Sequence, residues 1–306
     1  MPLRYTNFNG TFFLGLVPLA PWLFLISLIL VAVLAPTRVF LGALLAVCSA
    51  VVVALPGTVV PRTGCYVDGA QLDEARSAVV YSQNTLFGAA SPEDMVAQIA
   101  EVDADIIVLQ ESVPDFIERF IPLVPEYSHV EEDGFQVILS RWEIEDIERV
   151  TFALPDDEPV IGTPTHGILD ARIAAPWGDL RLINVHATPP QVPNGRQLQL
   201  RQFDFLEDAF DAENQNPSIP VIAIGDYNAT PADSRYRAVR EGAGIDAHQA
   251  VGCGFGVSWS PFPGVGPSLI SIDHAVISGA DVEAYEVLDY VGSDHKAIAV
   301  SVVVPS

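Results

Sequence analysis

Hydrophobic and polar positions divide the chain into an apolar first part and a mixed remainder. Residues 11–35 carry no charge and consist mainly of Leu, Phe, Val, Ile and Ala. At a rise of ~1.5 Å per residue, a helix of that length crosses a ~30 Å hydrocarbon core. A second apolar run, residues 39–55, reaches the short end of the spanning range. The pattern predicts a membrane anchor, residues 1–56, whose two transmembrane helices form a hairpin. A cleaved signal peptide would have a shorter apolar region and no second run.

Residues 57–69 follow the anchor as a linker rich in Pro and Gly, and the catalytic domain is predicted to occupy residues 70–306. Such a short linker keeps the domain close to the lipid surface. Two spans place the N-terminus and the domain on the same side of the membrane, and the few flanking arginines do not decide which side. Cys65 and Cys253 are the only thiols of the domain, which fits either one disulfide or two unrelated cysteines.

Apolar runs and helical spacings alternate within the domain. Ser91-Pro92-Glu93-Asp94 combines a cap residue, Pro at the first helical position and acids in the first turn, which predicts a helix start. Helical spacing predicts two further helices, and short apolar runs predict strands. The helices are residues 195–210 and 235–241. The first strand begins at residue 77, and the other strands are residues 105–111, 135–140, 166–175, 180–188, 220–225, 269–277, 282–287 and 297–304. Because strands mostly follow strands, two packed sheets with outer helices are favoured over a doubly wound parallel sheet.

Polar side chains stand where several of these strands end. In residues 220–231 an apolar run closes at Gly225 and is followed by Asp226 and Asn228. Side chains two residues apart point the same way if the extended conformation continues for one pleat. A carboxylate beside an amide suits phosphoryl chemistry, although an Asx turn that caps the loop gives the same pattern. The other polar residues at strand ends are Asn84, Glu111, His186, Asp273, Asp294 and His295.

The types of these residues narrow the chemistry. No His-x-x-x-His or Cys-x-x-Cys spacing supports a zinc site, and no Gly-x-Ser-x-Gly elbow supports a serine nucleophile. Carboxylate and amide oxygens with two imidazoles suit a hard divalent cation, Mg²⁺ or Mn²⁺.

Charge argues against a polyanionic partner. All 39 acidic residues follow position 66, whereas three of the 15 basic residues precede it, so residues 66–306 carry a net charge of −27. Affinity for a phosphate backbone depends on Lys and Arg, and Lys296 is the only lysine. Nucleic acid is therefore an unlikely substrate.

The ordered motifs resemble those of the endonuclease/exonuclease/phosphatase superfamily over residues 79–304. The resemblance rests on Asn84 after a strand and on six further motifs, Leu109-Gln110-Glu111, Ile138-Leu139-Ser140-Arg141, Asn184-Val185-His186, Gly225-Asp226-Tyr227-Asn228, Ile272-Asp273-His274 and Ser293-Asp294-His295. The apolar hairpin, Ser258-Trp259-Ser260-Pro261 and the Gly292 that precedes the last motif are similar to the membrane-anchored branch that includes glycopeptide-resistance proteins of the vancomycin J type. The likeness implies a four-layer α/β/β/α sandwich, metal-dependent hydrolysis of a phosphate ester, and a catalytic domain outside the cytoplasm at the cell membrane.

The resemblance also implies roles for the residues that match its motifs. Glu111 would be the principal metal ligand with Asn84 beside it, and Asp294 would complete the metal or histidine shell. Asp226 would orient or deprotonate the attacking water, and Asn228 would hold a phosphate oxygen.

The histidines divide into two groups, and only the first group takes its roles from the same resemblance. His186 and His295 would donate hydrogen bonds to the phosphoryl oxygens or protonate the leaving group, with Asp273 holding the ring of His295. His274 is expected to face away from the site as a structural residue. His129, His166 and His248 are expected in surface or loop positions.

Three functions compete at this point. The first is a membrane-anchored, metal-dependent phosphatase or phosphodiesterase acting on a small or lipid-linked phosphate ester, such as a polyprenyl phosphate. The second is a membrane-bound nuclease, which the charge disfavours. The third is a non-catalytic binding module on the same fold, which the complete set of polar residues disfavours.

Overall fold

The computed structural model describes residues 76–150, 152, 166–215, 219–252, 254–261 and 268–305, together with positions 26 and 29. Apart from those two positions, the predicted hairpin and linker lie outside the described residues, as do Cys65 and Cys253. Within the described ranges, no helix is both long and apolar enough to cross a membrane.

The described chain folds into five α-helices and twelve strands. The helices are α1 (Pro92–Val102), α2 (Pro114–Phe120), α3 (Gly195–Gln215), α4 (Ser234–Ala243) and α5 (Ala247–Val251). The strands are β1 (Ser77–Asn84), β2 (Ile106–Gln110), β3 (His129–Asp133), β4 (Gln136–Ser140), β5 (Glu143–Val150), β6 (Gly167–Ala175), β7 (Gly178–His186), β8 (Val221–Asp226), β9 (Ile245–Asp246), β10 (Asp273–Ser278), β11 (Asp281–Val287) and β12 (Ile298–Val303).

The strands form two six-stranded mixed sheets. The first has the order β11-β12-β1-β2-β4-β3 and the second the order β5-β6-β7-β8-β10-β9. Each sheet contains one parallel pair at its centre, β1 with β2 and β7 with β8. All the other neighbours are antiparallel. This mixture explains why strands so often follow strands in the sequence, since antiparallel neighbours need only short connections.

The main core lies between the two sheets. Val80 and Ile106 of the first sheet and Leu182 and Ile224 of the second belong to one buried apolar cluster. Because side chains of a strand alternate between faces, the same strands also present apolar residues to the outside. Both faces of the central strands are therefore buried, as their nearly continuous apolar sequences require.

Helices cover the outer face of each sheet. Met95 of α1 and Phe116 of α2 pack in one cluster with Ile107 of the first sheet. Phe203 of α3 and Tyr236 of α4 belong to the cluster on the second sheet. The molecule is thus an α/β sandwich of two packed mixed sheets with flanking helices, which confirms the sequence-based choice over a doubly wound sheet.

Local signals explain where the first helix begins and ends. The Ser91 hydroxyl accepts a hydrogen bond from the backbone N–H of Asp94, and Pro92 occupies the first turn, as predicted. Asp103, in a left-handed conformation with φ 48°, caps the other end. The chain then enters β2 directly, which places Glu111 just beyond the far end of that strand.

Candidate active site

The topology brings the predicted site residues to one edge of the sandwich. Asn84 is the last residue of β1 and Glu111 follows β2, and these two strands are parallel. In the second sheet, His186 and Asp226 are the last residues of the parallel strands β7 and β8 and lie in register. Carboxyl ends of parallel strands meet at the same edge, so each sheet supplies two of these side chains there.

Antiparallel neighbours deliver the remaining residues to the same edge from the opposite chain direction. Asp273 is the first residue of β10 and is paired with Asp226. Asp294 and His295 precede β12, which runs antiparallel to β1. Ser293 fixes this turn, because its hydroxyl donates to the Asn84 carbonyl oxygen at 2.7 Å.

Asn84 links carboxylates that come from different sheets. Its Nδ2 donates to Glu111 Oε1 and to Asp226 Oδ2, each at 3.1 Å. Its Oδ1 accepts the backbone N–H of Leu86 at 3.0 Å, which fixes this orientation of the amide. The nitrogen of Asn84, rather than its oxygen, therefore faces the two acids.

Asp226 lies at the centre of the site with only 1% of its surface exposed. Its Oδ1 accepts the backbone N–H of Asn228 at 2.8 Å, and its Oδ2 accepts Asn228 Nδ2 at 3.1 Å. Burial raises the pKa of Asp226 to about 7, and the neighbouring carboxylates of Asp273 and Glu111 act in the same direction, while His295 opposes the rise. Asp226 can thus exchange a proton near neutral pH.

Gly225 allows the close approach of backbones beside Asp226. Its φ is 142°, and a Cβ at this position would lie 2.1 Å from the Val185 carbonyl oxygen. Any side chain would therefore push β8 away from β7 and separate Asp226 from His186.

Asn228 serves mainly to hold Asp226 in this structure. Its Nδ2 also donates to the Ala187 carbonyl oxygen at 2.9 Å, and its φ is 47°. Asn tolerates this left-handed conformation better than most residues. The Asx arrangement that the sequence left as an alternative is therefore present, and it lies within the cluster of predicted site residues.

His295 and Asp273 form a hydrogen-bonded pair. His295 Nδ1 lies 2.9 Å from Asp273 Oδ2, and its Nε2 lies 3.7 Å from Asp226 Oδ2. Burial alone would lower the pKa of His295, but the charges of Asp273 and Asp226 and the hydrogen bond to Asp273 raise it to about 10. The ring is therefore a proton-bearing imidazolium at neutral pH, aimed at Asp226.

His186 faces the same two carboxylates as Asn84. Its Nε2 lies 3.5 Å from Glu111 Oε1 and 3.8 Å from Asp226 Oδ2. The ring of His166 packs against it with centroids 4.5 Å apart. His166 lies in the bend directly before β6, which agrees with the expected loop position, but it is half-buried beside the site rather than on the open surface.

The other histidines lie outside this cluster. His274 is buried, bonds the Ala229 carbonyl oxygen through Nε2 and stacks on Tyr236, as expected of a structural residue. His248 is buried in α5 against Tyr285, which corrects the expectation of an exposed position. His129 is half-exposed in the edge strand β3.

Asp294 is held by a tryptophan. Trp259 Nε1 donates to Asp294 Oδ2 at 3.0 Å. Asp294 Oδ1 is buried, lies 3.9 Å from His295 Nε2 and has no hydrogen-bond partner within the described part of the chain. This buried carboxylate oxygen can accept a further hydrogen bond or bind a cation.

Glu111 has an unusual backbone. Its φ is 54°, a value that side-chain-bearing residues seldom adopt, and its side chain accepts the hydrogen bond from Asn84 Nδ2. Burial raises the pKa of Glu111, while hydrogen bonds from Asn84 and from the backbone of Phe87 lower it.

All the predicted site residues therefore meet in one cluster, and two contributors were missed. His166 was expected only in a surface or loop position, because it stands at the start of the predicted strand 166–175 and matches none of the family motifs. Trp259 was noted only as part of a motif, and its indole hydrogen bond to Asp294 carries no signal in the spacing of residues.

Comparisons with known proteins agree with this geometry. A family model described as the Endonuclease/Exonuclease/phosphatase family matches residues 81–295, a span that contains every predicted site residue. A search of curated protein sequences returned no match.

Solved structures share the fold at low sequence identity. An endonuclease/exonuclease/phosphatase from Beutenbergia cavernae is 19% identical over 76% of this chain and 72% of its own, with a TM-score of 0.57. Truncated TDP2 from Caenorhabditis elegans is 18% identical over 76% of this chain and 100% of its own, with a TM-score of 0.55. An endonuclease/exonuclease/phosphatase family protein from Bacteroides thetaiotaomicron is 15% identical over 75% of this chain and 98% of its own, with a TM-score of 0.56. These likenesses concern the fold.

Proposed function

The chain belongs to the endonuclease/exonuclease/phosphatase family, and on that basis we propose that it is a membrane-anchored, divalent-metal-dependent phosphoesterase. The three activities in the family name all break phosphate ester bonds, and the chain is a hydrolase acting on ester bonds. The proposed substrate is a phosphate mono- or diester that is small or lipid-linked, such as a polyprenyl phosphate. The observation that carries the proposal is the meeting of Glu111, Asp226, His186 and His295 at one edge of the sandwich.

The residues present fit a hard divalent cation. The partly buried Glu111 and the buried Asp226 share the same Asn84 N–H₂ group, and burial raises the pKa of each. Such a concentration of buried negative charge calls for a compensating cation. The unpartnered Oδ1 of Asp294 adds a further oxygen donor.

Among these groups, Glu111 and Asp294 are the best ligands. One atom each from Asp226, Asp273 and His295 also lie within 4.8 Å of one another, as a metal cage requires. However, Asp273 is engaged by His295, and an imidazolium has no lone pair to offer a metal. Glu111 and Asp294 would therefore hold Mg²⁺ or Mn²⁺ with Asn84 beside them, and the cation would neutralise charge on the phosphoryl oxygens.

The chain's own residues account for the movement of protons. Asp226 accepts a proton from the attacking water, a role that suits a carboxyl group whose pKa is about 7. His295, charged and held by Asp273, donates to the phosphoryl oxygens or to the leaving group through Nε2. His186 offers a second imidazole, whose Nε2 lies 3.8 Å from Asp226 Oδ2. Asn228 fixes the orientation of Asp226, and it would contact the phosphate by releasing one of the two hydrogen bonds that its amide group donates to Ala187 and Asp226.

Membrane attachment rests on the two apolar runs, residues 11–35 and 39–55, and on the likeness to the vancomycin J-type branch. We place the protein in the cell membrane as a multi-pass protein with its catalytic domain outside the cytoplasm. The short linker would then keep the site near lipid-linked esters.

The test is hydrolysis by the full-length protein in detergent micelles. We expect it to release 4-nitrophenolate from 4-nitrophenyl phosphate or bis(4-nitrophenyl) phosphate with Mg²⁺ or Mn²⁺, and to stop in EDTA. Asp226→Asn and His295→Gln each remove a proton-transfer group, so we expect losses of about 10²–10⁴-fold in kcat.

His129→Ala is the matched control, because it removes a histidine from the edge strand β3. It should retain the activity of the unmodified protein. Turnover that persists in EDTA, or full activity in both site variants, would refute the proposed function.

A further inference from the structure

Phe87 is an exposed aromatic residue at the mouth of the site. Its side chain is 55% exposed, and it lies in the loop that follows Asn84. Its backbone forms a hydrogen bond to the Glu111 carboxylate. The ring is therefore attached directly beside a central acid of the cluster.

The backbone of this loop is strained. Leu86 and Phe87 both have φ 50°, a left-handed conformation that glycine adopts readily and bulky residues seldom do. The conformation aims the N–H of Leu86 at Asn84 and that of Phe87 at Glu111. A glycine at position 87 would make the same backbone contact without strain, so the contact does not explain the phenyl ring.

A second aromatic ring lies against the first. The rings of Phe87 and Phe135 meet edge to face with centroids 6.2 Å apart. Phe135 is half-buried in the turn between β3 and β4, and its carbonyl oxygen accepts the N–H of Ser112, the residue after Glu111. The two rings thus form an apolar wall that is anchored at both sides to the segment carrying Glu111.

From this arrangement we propose that Phe87 and Phe135 bind the aliphatic substituent of the phosphate ester. The inference rests on the proposed function, and it names the chemistry of the group that the phosphate carries. The exposed rings offer apolar area that a hydrocarbon chain can cover, and removing that area from water stabilises the complex. An anionic substituent would be repelled by a domain with a net charge of −27.

The experiment uses alkyl 4-nitrophenyl phosphates with methyl, butyl and octyl chains and the full-length protein. The leaving group is constant, so differences in kcat/KM report the contact of the chain. Each fully buried methylene raises kcat/KM roughly fourfold, and a methylene that lies against a half-open wall contributes much less. We expect kcat/KM to rise about tenfold from the methyl to the octyl ester.

Phe87→Gly removes the ring and keeps a backbone that glycine favours. We expect this variant to unfold at the same temperature as the unmodified protein or higher, to hydrolyse the methyl ester within about twofold, and to lose most of the chain-length preference. Phe87→Leu should retain the preference because it keeps apolar area. Leu123→Ala removes an exposed apolar residue next to α2 and should behave like the unmodified protein.

The outcomes separate the two proposals. Turnover without a chain-length preference, or a preference that survives in Phe87→Gly, overturns the subsite and leaves the phosphoesterase intact. Faster hydrolysis of thymidine 5′-(4-nitrophenyl) phosphate than of the octyl ester also overturns it, because a nucleoside would then be the preferred substituent. No turnover of any ester with Mg²⁺ or Mn²⁺ overturns the proposed function itself.

Discussion

Several residues at this site have a backbone conformation or a degree of burial that lowers local stability. Glu111 and Asn228 have positive φ values of 54° and 47°, and Asp226 is a carboxyl group buried among other acids. A strained backbone costs on the order of 1–3 kcal/mol of free energy per residue, and burying a carboxyl group costs free energy as well. The surrounding hydrogen bonds hold these residues in place. The result is that Glu111 of one sheet and Asp226 of the other share the same Asn84 amide group.

His166 gives a prediction about pH. Burial lowers its pKa to about 4, below the ordinary value of about 6.5. Between these two values the unfolded chain binds a proton that the folded chain does not. The stability that a neutral His166 provides is therefore complete above pH 6.5 and is lost as the pH falls toward 4.

The measurement is urea unfolding of His166→Phe and the unmodified protein at pH 7.5 and pH 4.5. Phenylalanine keeps an aromatic ring against His186 but does not titrate. We expect the loss of unfolding free energy between the two pH values to be smaller in the variant. An equal or larger loss in the variant would contradict this origin of the acid sensitivity.

The sequence predicted some features of single site residues and not others. Asp226 and Glu111 were predictable because each follows an apolar run that must be a buried strand. The packing of His166 against His186 was not predictable, because it depends on the pairing of β6 with β7 and leaves no regular spacing in the sequence. The orientation of the Asn84 amide was equally hidden, since it is set by a backbone N–H two residues later.

At the level of elements, buried strands were predicted well, whereas two acidic edge strands were missed. The central strands β2 and β8 are wholly buried and read as continuous apolar runs. Strands β3 and β5 went unpredicted because they lie at the sheet edges and consist largely of acids, as in Glu143–Val150. Charges on edge strands protect against pairing with other chains, and they remove the alternation that identifies a strand.

The strand predicted to start at residue 269 starts later in the structure, because its first residues pair with a different segment. Strand β10 begins at Asp273, whereas Leu269 and Ile270 pair with Trp259 instead. The Ser258 hydroxyl accepts the N–H groups of Ile272 and Asp273. The segment 258–260 thus acts as a strap that ties the start of β10 to the turn carrying His295.

This strap predicts a specific effect of Trp259→Phe. Loss of the indole N–H frees Asp294 Oδ2 and leaves the ring contacts in place. Outer hydrogen bonds of this type typically change metal affinity by about 10–100-fold. We expect the Mg²⁺ concentration for half-maximal activity to rise by about that factor, with little change in the unfolding temperature.

Trp177→Phe is the matched control for this experiment. The Trp177 indole also donates one hydrogen bond, to the Ser77 carbonyl oxygen at 3.0 Å, and Ser77 is at the opposite end of β1 from Asn84. Its Mg²⁺ requirement should match that of the unmodified protein. The same shift in both variants would show that general loosening, rather than the position of Asp294, is responsible.

At the scale of the whole molecule, charge is the dominant property. The net charge of −27 over residues 66–306 surrounds a site that is itself rich in carboxylates. Much of the basic charge is occupied in ion pairs, as with Arg172 beside Asp179 and Arg196 beside Asp233. An anionic substrate approaching at low salt therefore meets long-range repulsion.

This field makes the response to salt a test of substrate class. The Debye length falls from ~30 Å at 0.01 M to ~10 Å at 0.1 M ionic strength, so added salt screens the repulsion between the domain and a small anionic ester. We expect kcat/KM for bis(4-nitrophenyl) phosphate to rise a few-fold when NaCl is raised from about 10 to 200 mM at constant Mg²⁺. A nucleic-acid enzyme that binds the phosphate backbone through basic residues loses affinity steeply over the same range. Single-stranded DNA measured in parallel separates the two cases: cleavage that is efficient at low salt and falls with added NaCl would favour a nuclease over the small or lipid-linked ester.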